Sequence, residues 1–268
     1  MLQGDGVSGV TTLDNMIYVL RSKASQQIAA YDCDLYRLQR YFNVPGLHGG
    51  CGIVACSYYR CLYISSSSDK CVVLHRVSLL KDGITNWTVN DKCRGLSVTD
   101  THSVLVTCGE VCKIKEFTTD GKLLRQILLA EDVVSPWHTI QLSSGEFVVC
   151  HGDVNDPLHR VCLIGSDGRV VKSYGGSKGS GTQQMNVPGH IAVDRNGFVF
   201  VTDLNNYRVL LLSPALTFVR VVLSREQLKW KPLRLWFDSD SDRRRLYVGV
   251  NKWEDRHYGD GNVAVVDV

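Results

Sequence analysis

His138, His190 and Arg234 each open a short apolar run: His138-Thr-Ile-Gln-Leu, His190-Ile-Ala-Val-Asp and Arg234-Leu-Trp-Phe-Asp. Gly9-Val-Thr-Thr-Leu, Gly52-Ile-Val-Ala-Cys and Gly95-Leu-Ser-Val-Thr stand at the same phase earlier in the chain. If one architecture brings these six positions together, half of the ring they form carries imidazole and guanidinium. That half would be electropositive, more so when the histidines protonate. Adjoining segments add His151, Asp153, His159, Asn205, Tyr207, Lys252, Trp253, Asp255, His257 and Tyr258, and the connectors add Trp137, Lys229, Trp230 and Lys231. Aromatic, basic and amide groups around a concavity suit recognition of a peptide, an acidic motif or an unpaired base. The competing reading is that the ring residues plug a channel and bond to backbone.

Other chemistries have weaker signatures. His138, His151 and His190 could approach one another, yet no His-x-Glu-x-x-His or Cys-x-x-Cys spacing accompanies them, so no metal is expected. Gly176-Ser-Lys-Gly-Ser only approximates a nucleophile elbow, and Gly-Gly-Ser-Lys-Gly-Ser-Gly reads as a mobile, linker-like loop. Arg243-Arg-Arg245 follows Asp238, Asp240 and Asp242, which makes it a solvated turn rather than a nucleic-acid patch. Ten cysteines fall mostly in apolar runs, as small reduced thiols. Three pairs, Cys61/Cys71, Cys108/Cys112 and Cys150/Cys162, bracket hairpin loops symmetrically. Partners placed opposite each other would be redox-sensitive rather than structural bridges.

The elements that must position these residues follow from the repeat. The phase residues 9, 52, 95, 138, 190 and 234 are separated by 43, 43, 43, 52 and 44 residues. Near-equal steps of this length match one four-stranded blade each. Within the fifth repeat, Ile191-Ala-Val-Asp leads through Asn196-Gly197, a hairpin signal, into Phe198-Val-Phe-Val-Thr, then Arg208-Val-Leu-Leu-Leu and Phe218-Val-Arg-Val-Val-Leu. The middle strands are apolar on both faces, as blades sandwiched between neighbours require. The expectation is therefore an all-β chain folded as a single six-bladed β-propeller of four-stranded antiparallel blades, at about 7–44, 50–89, 93–129, 136–174, 187–223 and 231–268. The sixth repeat lacks a fourth strand, and the stretch before the first is short and glycine-rich. Either the last blade is incomplete or the parent chain is longer; the longer parent is the favoured reading.

The segment from Val187-Pro-Gly-His through Asp203-Leu-Asn-Asn-Tyr-Arg208 resembles an NHL repeat, whose Asp-x-x-Asn-x-Arg is here Asp203, Asn206 and Arg208. The chain as a whole resembles the NHL propellers that end many tripartite-motif proteins. Repeats one, two, three and six lack the trio. Asp203 and Arg208 flank a tight loop and can pair while Asn206 holds its backbone, so the trio reads as loop architecture. The resemblance implies partner binding: substrate recruitment for ubiquitin transfer if RING and B-box modules precede the domain, or single-stranded RNA binding. It also includes a zinc-dependent peptidyl-hydroxyglycine lyase and the gluconolactonases, whose ligand positions are here Gly, His and Arg.

Thirty basic and 27 acidic residues give a net charge of +3, too balanced to impose a nucleic acid or membrane as partner. No segment has the apolar length to cross a bilayer or the pattern of a secretory signal. The reading is a monomeric cytoplasmic domain without cofactor or catalysis of its own, with a protein or peptide partner and RNA as the alternative.

Overall fold

Runs rich in Val, Ile and Leu pair through short turns into hairpins, and glycine supplies left-handed backbone where turns need it, at Gly121 (φ +90), Gly168 (φ +85) and Gly197 (φ +81). At Gly168 a Cβ would also collide with the Leu128 carbonyl of the preceding blade. In this computed structural model residues 2–21, 27–47, 50–67, 72–81, 83–238, 244–254 and 257–268 are described.

The hairpins build six four-stranded antiparallel sheets. After β1 (Leu2–Asp5), blade one comprises β2 (Val7–Leu13), β3 (Met16–Arg21), β4 (Gln27–Asp32) and β5 (Leu38–Asn43). Blade two comprises β6 (Gly50–Cys56), β7 (Cys61–Ser67), β8 (Val72–Ser78) and β9 (Ile84–Val89). Blade three comprises β10 (Cys93–Val98), β11 (Val104–Cys108), β12 (Lys113–Phe117) and β13 (Leu123–Leu128). Blade four comprises β14 (Pro136–Gln141), β15 (Phe147–His151), β16 (Leu158–Ile164) and β17 (Val170–Ser177). Blade five comprises β18 (Pro188–Val193), β19 (Val199–Asp203), β20 (Arg208–Leu212) and β21 (Phe218–Leu223). Blade six contains β22 (Lys231–Asp238), β23 (Arg245–Glu254) and β24 (His257–Asp267). The only described helices are a 3-10 turn at Leu204–Asn206 and the four-residue α1 (Arg225–Leu228). The all-β six-bladed propeller expected from the spacing is the observed architecture.

Blade six corrects the reading of its missing strand. β1 pairs antiparallel with β24, Leu2 opposite Val263 and Asp5 opposite Asp260, and supplies the fourth strand from the other end of the chain. The buried Arg21 guanidinium donates to the carbonyls of Leu2 (3.1 Å), Asp5 (2.8 Å) and Gly261 (3.2 Å), clamping both strands. The buried Asn251 side chain accepts from Val7 N (2.6 Å) and donates to Val7 O (2.9 Å), tying β23 to the first inner strand. Gly4 suits this latch because a Cβ there would stand 3.1 Å from the Arg21 guanidinium carbon.

Each pair of adjacent blades shares an apolar layer, so the core forms six slabs around an axis. Tyr63, Leu74 and Val106 lie between blades two and three, and Val201, Leu210 and Val161 between blades four and five. Leu2, Val7 and Tyr247 fill the closure between blades six and one. The stretch read as linker-like is strapped down: Arg208 donates to Ser180 O (3.2 Å) and Gln184 O (2.9 Å), and Asn206 to Gly179 O (2.9 Å). Of the arginine run, Arg243 lies outside the described residues. The exposed Arg244 pairs with Asp194 of blade five (3.3 Å), and Arg245, which begins β23, with the exposed Asp267 (3.2 Å).

Candidate functional site

Every inner strand carries an irregularity near its start, between Val7/Gly9, Gly50/Gly52, Cys93/Gly95, Pro136/His138, Pro188/Ile191 and Pro232/Arg234. Such bulges re-aim side chains at the rims of closed sheets. Here they turn the phase residues into the channel. The inner strands have one edge paired and one edge on the channel, so that second edge needs partners from the neighbouring blade. Ala55 N donates to Thr11 Oγ1 (3.1 Å), Ser97 Oγ to Thr139 O (2.7 Å) and Arg234 Nε to Ser8 O (2.7 Å). His138 Nε2 bonds Leu96 O (2.9 Å), and Leu235 N donates to His190 Nδ1 (3.4 Å).

The six phase residues therefore meet, and the glycine of blade three makes room for the histidine of blade four. A Cβ on Gly95 would stand 2.5 Å from Trp137 O and 2.7 Å from the His138 ring. His138 and His190 stack with centroids 3.7 Å apart and planes 17° apart. Gly9, Gly52, Gly95, Arg94, His190 and Arg234 line a space of about 10 Å³, room for about one water. Burial lowers His138 to about 4 and holds His190 well below 6.5, with Arg234 adding repulsion in both cases. The expectation that these histidines charge the mouth on protonation is thereby corrected: both stay neutral through the ordinary range.

His151, at the end of β15, is fully buried; it accepts from Arg160 Nε (3.2 Å), and burial lowers it to about 4. His159 is equally buried, accepting from Val187 N on Nδ1 (2.9 Å) and bonding Asp156 O through Nε2 (3.0 Å). Both histidines organise loops below the surface. The trio is likewise internal: Asp203 accepts from Arg208 Nε (2.7 Å), Asn206 Nδ2 (2.7 Å) and Asn186 N (2.7 Å). Burial nonetheless raises the Asp203 carboxyl, against the pull of these donors.

Two cation–aromatic clusters lie on this face. In the first, Tyr207 sits in left-handed backbone (φ 56) at the end of the loop after β19, its ring 4.6 Å from the Arg225 guanidinium and 5.6 Å from Lys231 Nζ. Lys231 donates to Asn205 Oδ1 (2.8 Å) and Asn205 to Asn186 Oδ1 (3.2 Å). Burial lowers the Lys231 ammonium. In the second, the Arg94 guanidinium lies 4.3 Å over the Trp137 ring and pairs with Asp153 (2.8 Å). The buried Trp137 indole N–H has no partner among the described residues. Trp230 packs half-buried against the core between blades five and six. Trp253 and His257 stand on the hairpin joining β23 to β24, where the backbone pairs Trp253 with Tyr258; their side chains lie outside the described residues, as do Asp255 and the side chain of Tyr258. Among the described residues no three His, Cys, Asp or Glu side chains gather as a metal would require. Sequence reasoning missed Arg94 and Arg225, because each acts on an aromatic partner in another segment.

The pairing register also corrects the cysteine reading. Cys150 faces Val161 and Cys162 faces Val149, which puts the two thiols on opposite faces of blade four. Cys108 faces Lys113, and Cys71 lies outside the described residues. The opposed pairs are instead Cys56 with Cys61 and Cys93 with Cys108.

No family model matches the chain, and no curated protein matches it. Many solved structures share the fold. A streptogramin B lyase aligns over 100% of this chain and 84% of its own, at 12% identity and TM-score 0.67. The PQQ-bound aldose sugar dehydrogenase of Streptomyces coelicolor aligns over 98% and 95%, at 13% identity and TM-score 0.69. A protein of unknown function from Bacteroides thetaiotaomicron aligns over 98% and 70%, at 12% identity and TM-score 0.69. At these identities the likeness is one of fold.

Proposed function

We propose that this chain is a binding propeller of the NHL kind whose upper face, the one bearing the starts of the inner strands, recognises an extended peptide of a partner protein. The observation that carries the reading is the pair of cation–aromatic clusters, Tyr207 with Arg225 and Lys231, and Trp137 with Arg94, flanking a channel with room for about one water. A ligand too large for the channel has to lie across the face. Half-exposed Tyr, Trp and Arg groups are the residue types that carry most binding energy at protein interfaces. If RING and B-box modules precede the domain, this face would recruit the substrate of a ubiquitin ligase.

Single-stranded RNA is the second reading, favoured by one specific observation: the connector from Ser224 to Lys231 carries Arg225, Lys229 and Lys231 against the single acid Glu226, beside an aromatic ring. Stacking on such a platform would bind bases with little sequence preference and strong salt dependence. The structural neighbours include a lyase and a dehydrogenase, and propellers host catalysis as readily as binding.

The test is selection of the purified chain against a displayed peptide library and a random single-stranded RNA pool, at low and physiological salt. The peptide reading expects enriched peptides whose affinity falls about tenfold or more on Tyr207→Ala or Arg225→Ala, as for an interface hot spot. Enrichment of RNA alone would replace it with the second reading. Enrichment of neither would remove both.

A further inference from the structure

Cys56 ends β6 and Cys61 begins β7, directly opposite each other across the turn Ser57–Arg60. Opposed residues of an antiparallel pair point to the same face, with Cα atoms about 4.5–5.5 Å apart, a spacing that a disulfide spans. Both thiols enter the same apolar layer between blades two and three. On that face the Cys61 thiol also meets the Tyr63 hydroxyl and the Arg76 guanidinium. Tyr63 is itself anchored to Thr119 Oγ1 of blade three (2.6 Å).

Arg76 is the second, independent observation. Its Nε is buried and has no hydrogen-bond partner among the described residues. Asp120 lies within electrostatic reach, on the turn between β12 and β13, but its carboxylate bonds Thr118. The ring of Tyr59 lies 5.8 Å from the guanidinium. A partly desolvated cation beside a thiol favours the thiolate. Accordingly the Cys56 thiol, the Tyr63 hydroxyl and Arg76 together hold Cys61 below the ordinary thiol range, against the opposing effect of burial. Cys56 is displaced upward, first by its neighbour Cys61 and then by burial.

We propose that Cys56 and Cys61 form a reversible redox-modification site, in which hydrogen peroxide converts the two thiols to a disulfide across the hairpin. The Cys61 thiolate attacks one peroxide oxygen; the S–O bond forms, the O–O bond breaks, and the departing hydroxide takes up a proton as water. Cys56 then gives up its proton and attacks the Cys61 sulfenic sulfur, forming the S–S bond and releasing a second water. Two thiols are oxidised and one peroxide is reduced to two waters. Both sulfurs are buried, but the turn beside them is open, with Tyr58 67% exposed, so a local opening of one turn admits a molecule of peroxide's size.

The same molecule contains its control. Cys93 and Cys108 also stand opposite each other, but burial pushes the Cys108 thiol up to about 12, which keeps that thiol protonated and slow to react. The experiment treats the reduced full chain with graded hydrogen peroxide at pH 7, alkylates it under denaturing conditions and digests it with trypsin without reductant. Cleavage after Arg60 separates the two cysteines, so the disulfide appears as peptide 41–60 linked to peptide 61–70. Fragmentation distinguishes Cys56 from Cys51, which shares the first peptide. The expected result is the Cys56–Cys61 link at peroxide concentrations that leave Cys93 and Cys108 alkylated. Cys56→Ser should instead accumulate a Cys61 sulfenic acid trapped by a cyclic dione. Arg76→Gln should slow the linkage at pH 7 and move its rate-against-pH profile to higher pH, because less of Cys61 is then thiolate. Should Arg76→Gln fail to fold, Tyr63→Phe serves the same purpose. Linkage through Cys51, a Cys93–Cys108 link appearing first, or full alkylation of Cys56 and Cys61 throughout would overturn the proposal.

Discussion

The stacked pair His138 and His190 shows how a residue's chemistry is set by what surrounds it. The repeat locates both at the channel mouth, and imidazoles at a mouth suggest a charge that follows pH. Their environment reverses that expectation, because the His138 ring is buried over Gly95 and stacks on the His190 ring. Desolvation penalises the imidazolium, so the native state takes up protons only well below 6.5, whereas the unfolded chain takes them up near 6.5. The unfolded state thus binds more protons as the pH falls, and stability is lost in the same direction. For His138, displaced from 6.5 to about 4, the loss across that window is about 3 kcal/mol. His151 contributes in the same window. Thermal unfolding should therefore give a Tm that is flat above about pH 7 and falls steeply towards pH 4. His138→Gln should remove part of that slope while lowering the plateau; an unchanged slope would show that this histidine is not buried as a neutral ring.

At the scale of elements, strands were legible where apolar runs alternate with Asp-Gly and Asn-Gly turns, and the steps between repeats placed the inner strands. Two features were not legible, each for a physical reason. β1 is four residues long, with glycine in place of a β-forming side chain, because the Arg21 guanidinium occupies the space where a side chain would go. Nothing local in Leu2-Gln-Gly-Asp reads as a strand; it becomes one through β24, whose partner residues lie some 260 positions away. Hairpin register is equally invisible, since a shift of one residue moves a side chain to the other face. That single step separates Cys150 from Cys162 and left the opposed pair Cys56–Cys61 unrecognised. The latch makes a definite prediction. Arg21→Met keeps the length of the side chain and removes its bonds to the carbonyls of Leu2, Asp5 and Gly261. Hydrogen bonds from a charged group contribute about 1.5–3 kcal/mol each, and the three share one guanidinium, so a loss on the order of 3 kcal/mol is expected. Hydrogen exchange should show its earliest effect in the amides of β24, before any change in blades two to five; uniform loss of protection would mean that β1 does not act as a separable latch.

At the scale of the whole molecule, the ring leaves six outer strands facing solvent, each with an unpaired edge. Such edges invite pairing with another chain, and charged residues on them are a common defence. The apolar side chains exposed there include Tyr41, Leu124, Val171, Phe218, Val219 and Val221. Four of the outer strands also carry a basic residue: Arg40 on β5, Arg125 on β13, Lys172 on β17 and Arg220 on β21. β21 is the most exposed to risk, because Phe218-Val-Arg-Val-Val-Leu223 has one charge in an otherwise apolar, β-branched run. Arg220→Val would turn it into six consecutive apolar residues of high β-propensity, the composition that favours edge-to-edge association. The substitution touches no core layer, so the melting temperature should change little. Light scattering on the unsubstituted chain should give the monomer mass of 29.9 kDa at micromolar concentration, while Arg220→Val should self-associate in proportion to concentration. A monomeric Arg220→Val would mean that twist and strand length guard this edge, and that the basic residues on the rim serve contacts with a partner instead.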